Sequence, residues 1–154
     1  MTVTVRDLGR DDEQAWRALW KAYCDFYETR IPGSVTDATW RRLMDDKSPL
    51  FGLVACDGGA GGRVIGIANC VLHPATWSEQ PTCYLEDLFV APQARRRGAG
   101  RALIEAVMAR GRQMGWYRIY WMTKVDNRVA RTLYDKIAGK SDWLRYHVAL
   151  AKSP

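Results

Sequence analysis

The chain has 154 residues, of which 47% are hydrophobic and 26% are charged, the balance of a single globular enzyme or binding domain. No apolar run approaches the roughly 20 residues of a membrane span, and the N-terminus lacks a secretory signal pattern. We therefore expect a cytoplasmic protein with no membrane partner. The net charge of +6 favours an anionic partner, either nucleic acid or a polyphosphate cofactor.

The first half of the chain combines strand patterns with two helical ones. Apolar residues after Asp11 recur at intervals of three and four until Pro32 and Gly33 break the pattern, which predicts a first helix. A second helix is predicted with its cap at Thr36 and Asp37. Four segments have strand character: 3–7, 50–56, 63–73 and 83–90. The second and third of them flank a glycine cluster, which predicts a hairpin.

The second half has the pattern of two parallel strands joined by a helix. The strand at 83–90 is predicted to run through a basic turn into a helix at 99–114, which Gly115 ends before a strand at 117–123. Two more elements are predicted toward the C-terminus: a helix at 127–137 and a strand at 143–150. Since the sequence contains no linker or repeat, we expect residues 1–154 to form one domain.

Neither the cysteines nor the histidines predict a metal site. The four cysteines are isolated in apolar stretches: Cys24, Cys56, Cys70 and Cys83. No pair has the spacing C-x-x-C, so we expect four buried free thiols. His73 and His147 are too far apart in sequence to indicate a metal site, and no metal is expected.

The turn before the predicted helix at 99–114 concentrates positive charge and glycine. It reads Arg95-Arg96-Arg97-Gly98-Ala99-Gly100-Arg101. The first N–H groups of a helix have no intrahelical acceptor and attract anions, glycines let the main chain close around a diphosphate, and arginines add charge-assisted bonds. Leu103 at the third glycine position excludes the dinucleotide fingerprint. The clustering on one turn favours a polyphosphate cofactor over nucleic acid, and a solvated basic face is the alternative.

Three motifs in order resemble the GNAT N-acetyltransferase superfamily. Arg95-x-x-Gly98-x-Gly100 resembles its pyrophosphate-binding motif, the segment Tyr84-Leu85-Glu86-Asp87-Leu88-Phe89-Val90 its fourth strand, and Asn127-x-x-Ala130-x-x-x-Tyr134 its last helix. The fourth-strand segment and Tyr120-Trp121-Met122-Thr123 are similar to the diamine, polyamine and histone/polyamine acetyltransferase branch. The Gly-Phe that usually follows the last helix is replaced by Ile137-Ala138-Gly139-Lys140-Ser141-Asp142-Trp143.

The resemblance implies an α/β fold with a mixed central sheet of six to seven strands, the fourth and fifth parallel and splayed, flanked by about four helices. It implies acetyl-CoA as acetyl donor, no metal, and a homodimer that acts by direct attack of a primary amine in a ternary complex. The branch favours a small cationic acceptor, such as a polyamine, a diamine or an amino acid-like amine. A protein-lysine acetyltransferase and a catalytically silent acetyl-CoA-binding protein are the alternatives.

The resemblance also implies roles for individual residues. Tyr134 is expected to protonate the leaving thiolate, Glu86 to act as base or proton relay, and Asp87 to anchor the substrate charge. The acceptor site is expected to include Tyr27, Glu28 and Trp77. The expected cofactor ligands are the main chain of Leu88, Phe89 and Val90, the side chain of Asn127, and the turn Arg95, Arg96, Arg97, Gly98, Ala99, Gly100 and Arg101. The alternative is that these are core residues and solvated charges.

Overall fold

The computed structural model describes residues 2–151, which fall into two compact units. The first unit, Met1–Trp121, contains a sheet and three of the described helices, and the second, Met122–Pro154, contains one. No helix within residues 2–151 is long and apolar enough to cross a membrane. The expectation of one domain over 1–154 stays a prediction.

The first unit is built on a five-stranded sheet in the order β1-β2-β3-β4-β5. The strands are β1 (Val3–Asp7), β2 (Leu50–Asp57), β3 (Arg63–His73), β4 (Thr82–Val90) and β5 (Arg118–Tyr120). The first four pair antiparallel with their neighbours, and β5 is parallel to β4. This confirms the mixed sheet with parallel fourth and fifth strands, whereas the predicted count of six to seven strands is wrong for the part described.

Four helices are present among the described residues, as predicted. They are α1 (Glu13–Phe26), α2 (Gly33–Leu43), α3 (Ala99–Met114) and α4 (Arg128–Ile137). The bounds of α3 agree with the prediction because a glycine in the left-handed conformation stands at each end, Gly98 at φ 78° and Gly115 at φ 72°.

The helices of the first unit cover both faces of the sheet. Neighbouring strand residues point to opposite faces. On β3, Asn69 contacts Trp16 of α1, whereas Leu103 of α3 fills the space beside Gly66. Trp16 also packs against Trp40 of α2 with ring centroids 5.4 Å apart. Therefore α1 and α2 share one face, and α3 covers the other.

The core of the first unit includes every cysteine of the chain. Cys56, Cys70 and Cys83 are 0% exposed and Cys24 is 7% exposed. None of the four forms a disulfide. The predicted buried free thiols are therefore confirmed.

The start of α2 differs from the prediction. The helix begins at Gly33, directly after Pro32, so Thr36 and Asp37 lie inside it. Their side chains have other partners, because the Thr36 hydroxyl accepts from Nε1 of Trp20 at 3.2 Å and Asp37 forms an ion pair with Arg17 at 2.9 Å. The predicted cap at Thr36 and Asp37 is therefore wrong.

Two predicted strands are shortened or missing. The segment 117–123 is a strand only over Arg118–Tyr120. The segment 143–150 contains no strand, and its large apolar side chains from Trp143 to Leu150 are at least 80% exposed. An alternating segment becomes a strand only where a neighbour completes its hydrogen bonds. Within residues 122–151 the only regular element is α4, so the second unit provides no partner strand for that segment.

Candidate functional site

A β-bulge interrupts β4 at Glu86. Asn69 of β3 is paired with Asp87, and the next β3 residue, Cys70, is paired with Leu85, so Glu86 has no partner across the strands. An extra residue in one strand re-aims the side chains that follow it. Glu86 is exposed, whereas Asp87 is half-buried. The bulge thus turns Asp87 toward the face that α1 covers.

The Asp87 carboxylate lies at the end of a chain of hydrogen bonds that begins in the core. Nε1 of Trp16 donates to Oδ1 of Asn69 at 3.0 Å, and Nδ2 of Asn69 donates to Oδ2 of Asp87 at 3.1 Å. The Tyr23 hydroxyl donates to the same carboxylate. Because an indole N–H is only a donor, Trp16 fixes the Asn69 amide with its nitrogen toward Asp87.

The proton affinity of Asp87 is unusually high for an aspartate. Burial raises its pKa from 3.8 to about 6, the hydrogen bonds from Asn69 and Tyr23 oppose that rise, and the charge of Glu86 adds to it. Such a carboxylate is ionised at neutral pH and is a stronger base than an exposed aspartate, so it is suited to accept a proton. Burial and the charge of Asp87 also raise the pKa of Tyr23, which keeps its hydroxyl protonated as a donor.

A ladder of aromatic rings on α1 lines the Asp87 site. Trp16 stacks on Trp20 at 5.7 Å, Trp20 stacks on Tyr23 at 5.3 Å, and Tyr23 meets Tyr27 at 4.9 Å. Spacings of three and four residues place these rings on one helix face. Burial, followed by the charge of Asp87, raises the pKa of Tyr27, so Tyr27 lies close enough to interact with the carboxylate. Aromatic faces beside a carboxylate suit a cationic amine.

The outer edge of β4 is paired with a strand of the first unit only as far as Tyr84. Among the described residues, β5 pairs only with the first three residues of β4, which continues to Val90. The Ala91 N–H donates to Ile65 of β3 at 2.8 Å. Because main-chain groups alternate in direction along a strand, those of Leu88 and Val90 point away from β3. An extended ligand is able to pair with this edge as an added strand does.

The basic turn leads into α3 with main-chain donors at the helix start. The first helical bond joins the Ala102 N–H to the Gly98 carbonyl at 2.9 Å. The amides of Ala99, Gly100 and Arg101 therefore have no acceptor within the helix. Arg96 has φ 66°, an uncommon conformation for a residue with a side chain. The geometry fits an anion such as a diphosphate.

Two of the turn arginines are held by carboxylates. Arg97 pairs with Asp57 of β2 at 3.3 Å, and Arg101 pairs with Glu105 one turn along α3 at 2.7 Å. Both ion pairs are at the surface, where such pairs contribute little to stability and either partner is easily replaced by another charged group. The phosphate-binding roles of Arg97 and Arg101 stay predictions.

Arg95 has different surroundings. Its guanidinium carbon lies 5.5 Å from the ring centre of Phe89 and 5.6 Å from that of Phe26. Its Nε donates to the Val90 carbonyl at 3.3 Å. Phe26, at the end of α1, is 55% exposed. Arg95 is therefore held between the end of β4 and the end of α1.

The other predicted site residues lie in loops or in the second unit. Glu28 is exposed directly after α1, and Trp77 is 75% exposed in the loop between β3 and β4. Asn127 caps α4, because its Oδ1 accepts from the Ala130 N–H at 3.4 Å. Tyr134 is half-buried on α4. The binding and catalytic roles of these residues stay predictions.

Sequence reasoning missed the residues that hold Asp87. Trp16 and Tyr23 belong to the apolar pattern that predicts the first helix, and nothing in that pattern points to Asn69. The available signal was the amide of Asn69 in an otherwise apolar strand. A buried amide requires hydrogen-bond partners, and Asn69 is 4% exposed.

Comparison with known proteins identifies the family of the chain. Residues 14–139 match the model of the acetyltransferase (GNAT) family. The chain is 37% identical to the D-amino-acid N-acetyltransferase HPA3 of Saccharomyces cerevisiae, over 94% of this chain and 89% of that protein. Its fold is similar to that of a probable acetyltransferase, with a TM-score of 0.83 and 20% identity over 99% of this chain and 100% of the other. It is also similar to AAC(6')-Iy in complex with the bisubstrate analogue CoA-S-monomethyl-acetylneamine, with a TM-score of 0.80 and 20% identity over 98% and 100%. The expected diamine and polyamine branch stays a prediction.

Proposed function

Since the chain belongs to the acetyltransferase (GNAT) family and is an acetyl-CoA-dependent N-acetyltransferase, we propose that it acetylates the primary amine of a small molecule bound beside Asp87. The observation that carries the proposal is a half-buried carboxylate at a bulge and against an aromatic wall, with its pKa raised to about 6. The D-amino acid in the name of the yeast relative is one example of such an acceptor.

In this proposal acetyl-CoA binds along the unpaired part of the β4 edge and at the start of α3. Acetyl-CoA supplies the activated acetyl group. The Leu88 carbonyl and the Val90 N–H pair with the pantetheine arm, and the Leu88 N–H donates to the thioester oxygen as negative charge develops there. The free amides from Ala99 to Arg101 and the side chain of Arg96 bind the diphosphate. Support comes from the missing strand neighbour and the unpaired amides.

For the acceptor we propose that Asp87, and not Glu86, is the base that deprotonates the substrate amine. A base should be ionised near neutral pH and have a pKa close to it, and the half-buried Asp87, with its pKa raised to about 6, meets both conditions. Asp87 takes a proton from the substrate ammonium, the free amine attacks the acetyl carbon, and the C–S bond of the thioester breaks as the intermediate collapses to the amide. The second proton that the nitrogen loses in this collapse replaces the one that Tyr134 gives up. Tyr23 and Tyr27 shield the amine from water, and Tyr134 donates a proton to the leaving thiolate.

Thiol release from acetyl-CoA tests the proposal with a panel of D- and L-amino acids, diamines and polyamines. Asp87→Asn is expected to lower kcat about 100-fold or more, since positioned bases contribute that much. The matched change at the neighbouring carboxylate, Glu86→Gln, should cost less than about tenfold. Tyr134→Phe should lower kcat at least about tenfold.

Two results would contradict the proposal. If no amine is acetylated while calorimetry shows that acetyl-CoA binds, transfer to a small amine is wrong. If Glu86→Gln costs more activity than Asp87→Asn, the base is Glu86, as the sequence predicted.

A further inference from the structure

One amide side chain connects Asp87 to the core of the first unit. Nδ2 of Asn69 lies 3.1 Å from Oδ2 of Asp87, and Oδ1 of Asn69 lies 3.0 Å from Nε1 of Trp16. Trp16 is 0% exposed and Asn69 is 4% exposed, so the amide is shielded from water. The carboxylate is therefore linked, through this amide, to a tryptophan that is inaccessible to a substrate.

The orientation of the Asn69 amide determines which form of Asp87 it stabilises. With its nitrogen toward Asp87 the amide donates a hydrogen bond, which favours the ionised carboxylate. With its oxygen toward Asp87 the amide would accept instead, which favours the protonated carboxyl group. Rotation by half a turn exchanges the two orientations, and both have nearly the same shape. Asn69 is therefore a two-state element beside the proposed base.

Trp16 selects one of these two orientations. An indole N–H donates and does not accept, so a rotated Asn69 amide would place its own N–H groups against another donor. The indole is held in place, because its ring stacks on Trp20 at 5.7 Å and packs against Trp40 of α2 at 5.4 Å. A buried donor without an acceptor is costly. The amide therefore keeps its nitrogen toward Asp87 whether or not the carboxyl group carries a proton.

We propose that Trp16 is a positioning residue for the reaction: by fixing the Asn69 amide as a donor, it keeps Asp87 ready to accept a proton and to release it again. The inference rests on the proposed function, in which Asp87 is the base. Without the indole N–H, the amide is able to rotate when Asp87 is protonated and to accept from the carboxyl O–H. That bond stabilises the protonated form, so the base ionises only at a higher pH.

Other titratable groups also act on Asp87. The charge of Glu86, the preceding residue of β4, raises its pKa, and Glu86→Gln isolates that contribution. The remaining groups are phenols and thiols whose pKa values are raised, so they stay uncharged in the range where Asp87 titrates; they are Tyr23, Cys24 and Tyr27 of α1 and Cys70 of β3. A change in the titration of Asp87 is thus traceable to the amide.

The pH dependence of kcat/KM tests the inference. Trp16→Phe keeps an aromatic ring in the core and removes the N–H. The limb expected near pH 6 should move upward by about half a unit to one unit, which corresponds to one neutral hydrogen bond gained by the protonated form. Because the proton affinity of the base changes, kcat/KM at pH 8 should fall less than about threefold. A role in packing alone would lower activity at every pH and leave the limb in place.

Trp20→Phe is the matched control for the position of the limb. It removes the same N–H from the same helix, but the partner of that N–H is the Thr36 hydroxyl at 3.2 Å. The limb should stay at its wild-type position. In the Asn69→Ala background, Trp16→Phe should cause no further shift, because the amide through which it acts is gone. An equal shift in Trp20→Phe, or a second full shift in the Asn69→Ala background, overturns the inference.

A measurement on the wild type holds even if Trp16→Phe does not fold. The indole N–H resonance of Trp16 should move with pH around a midpoint near 6, because the charge of Asp87 polarises the amide between them. Asp87→Asn should abolish this movement, and the resonance of Trp20 is the internal reference. A Trp16 resonance that does not respond to Asp87 overturns the inference. Absence of turnover with every amine, beside a normal titration of Trp16, refutes the proposed function instead.

Discussion

Replacement of Asp87 by asparagine is expected to stabilise the fold at neutral pH while removing activity. The ionised carboxylate is unfavourable where it lies, since burial raises its pKa from 3.8 to about 6. At about 1.4 kcal/mol for each factor of ten in proton affinity, the difference corresponds to about 3 kcal/mol. Asparagine has nearly the same shape, and its oxygen still accepts from Nδ2 of Asn69, so few contacts are lost. A gain of about 1 to 3 kcal/mol in the free energy of unfolding is expected at pH 8.

The stability difference between Asp87→Asn and the wild type should depend on pH, and the direction follows from the raised pKa of Asp87. The folded state holds the Asp87 proton more tightly than the unfolded state does. The stability from protonated Asp87 is therefore fully present below about 3.8 and lost as the pH rises through about 6. The advantage of Asp87→Asn should be near zero at pH 4, grow between pH 4 and 6, and stay constant above.

Urea unfolding followed by tryptophan fluorescence at pH 4, 6 and 8 measures the effect. Glu86→Gln is the control, because it removes a neighbouring carboxylate that is exposed. Its stability relative to the wild type should change little over the same range. A gain for Asp87→Asn that does not vary with pH, or a loss at pH 8, would refute the argument that burial raises the proton affinity of Asp87.

Further predictions concern the same network and the rest of the fold. The value of kcat/KM should rise with pH through about 6, and Asp87→Asn should remove that limb; a limb that persists in the variant would contradict this. Asn69→Ala removes a bond that opposes the rise in the Asp87 pKa, so the limb should move upward, and a downward move would count against the network. Asp12→Asn should reduce the free energy of unfolding by about 1 to 3 kcal/mol, because it breaks the pair with Arg6 at 2.7 Å. That difference should shrink as the pH falls, since Arg6 lowers the pKa of Asp12. Gly98→Ala should cost about 1 kcal/mol in thermal unfolding, because the backbone is left-handed at φ 78°, and an unchanged Tm would contradict it.

Elements whose determinants are local could be predicted from the sequence. The helix 99–114 was bounded correctly because Gly98 and Gly115 take conformations that favour glycine. The hairpin between β2 and β3 was found for a similar reason. The parallel strands followed from the helix that joins them. Each of these features depends on residues that are close together in the chain.

The features that the sequence did not predict depend on partners distant in the chain. Whether Glu86 or Asp87 is buried is decided by a bulge, which is a property of the pairing with Asn69 on β3. A shift of one residue along a strand exchanges its two faces, so neighbouring carboxylates look equivalent in the sequence. The contact of Arg95 with the Phe26 ring likewise joins residues 69 positions apart, so the basic turn alone does not predict it.

The burial of the cysteines bears on how the enzyme tolerates its own product. Each turnover releases coenzyme A as a free thiol, which on oxidation forms disulfides that exchange with accessible protein thiolates. Exchange requires access, and three of the cysteines are 0% exposed while Cys24 is 7% exposed. Burial also raises the pKa of Cys24 and Cys56, which lowers their thiolate fraction further. The cysteines of the folded enzyme are thus protected from forming mixed disulfides with oxidised coenzyme A, and unfolding would expose them to this reaction.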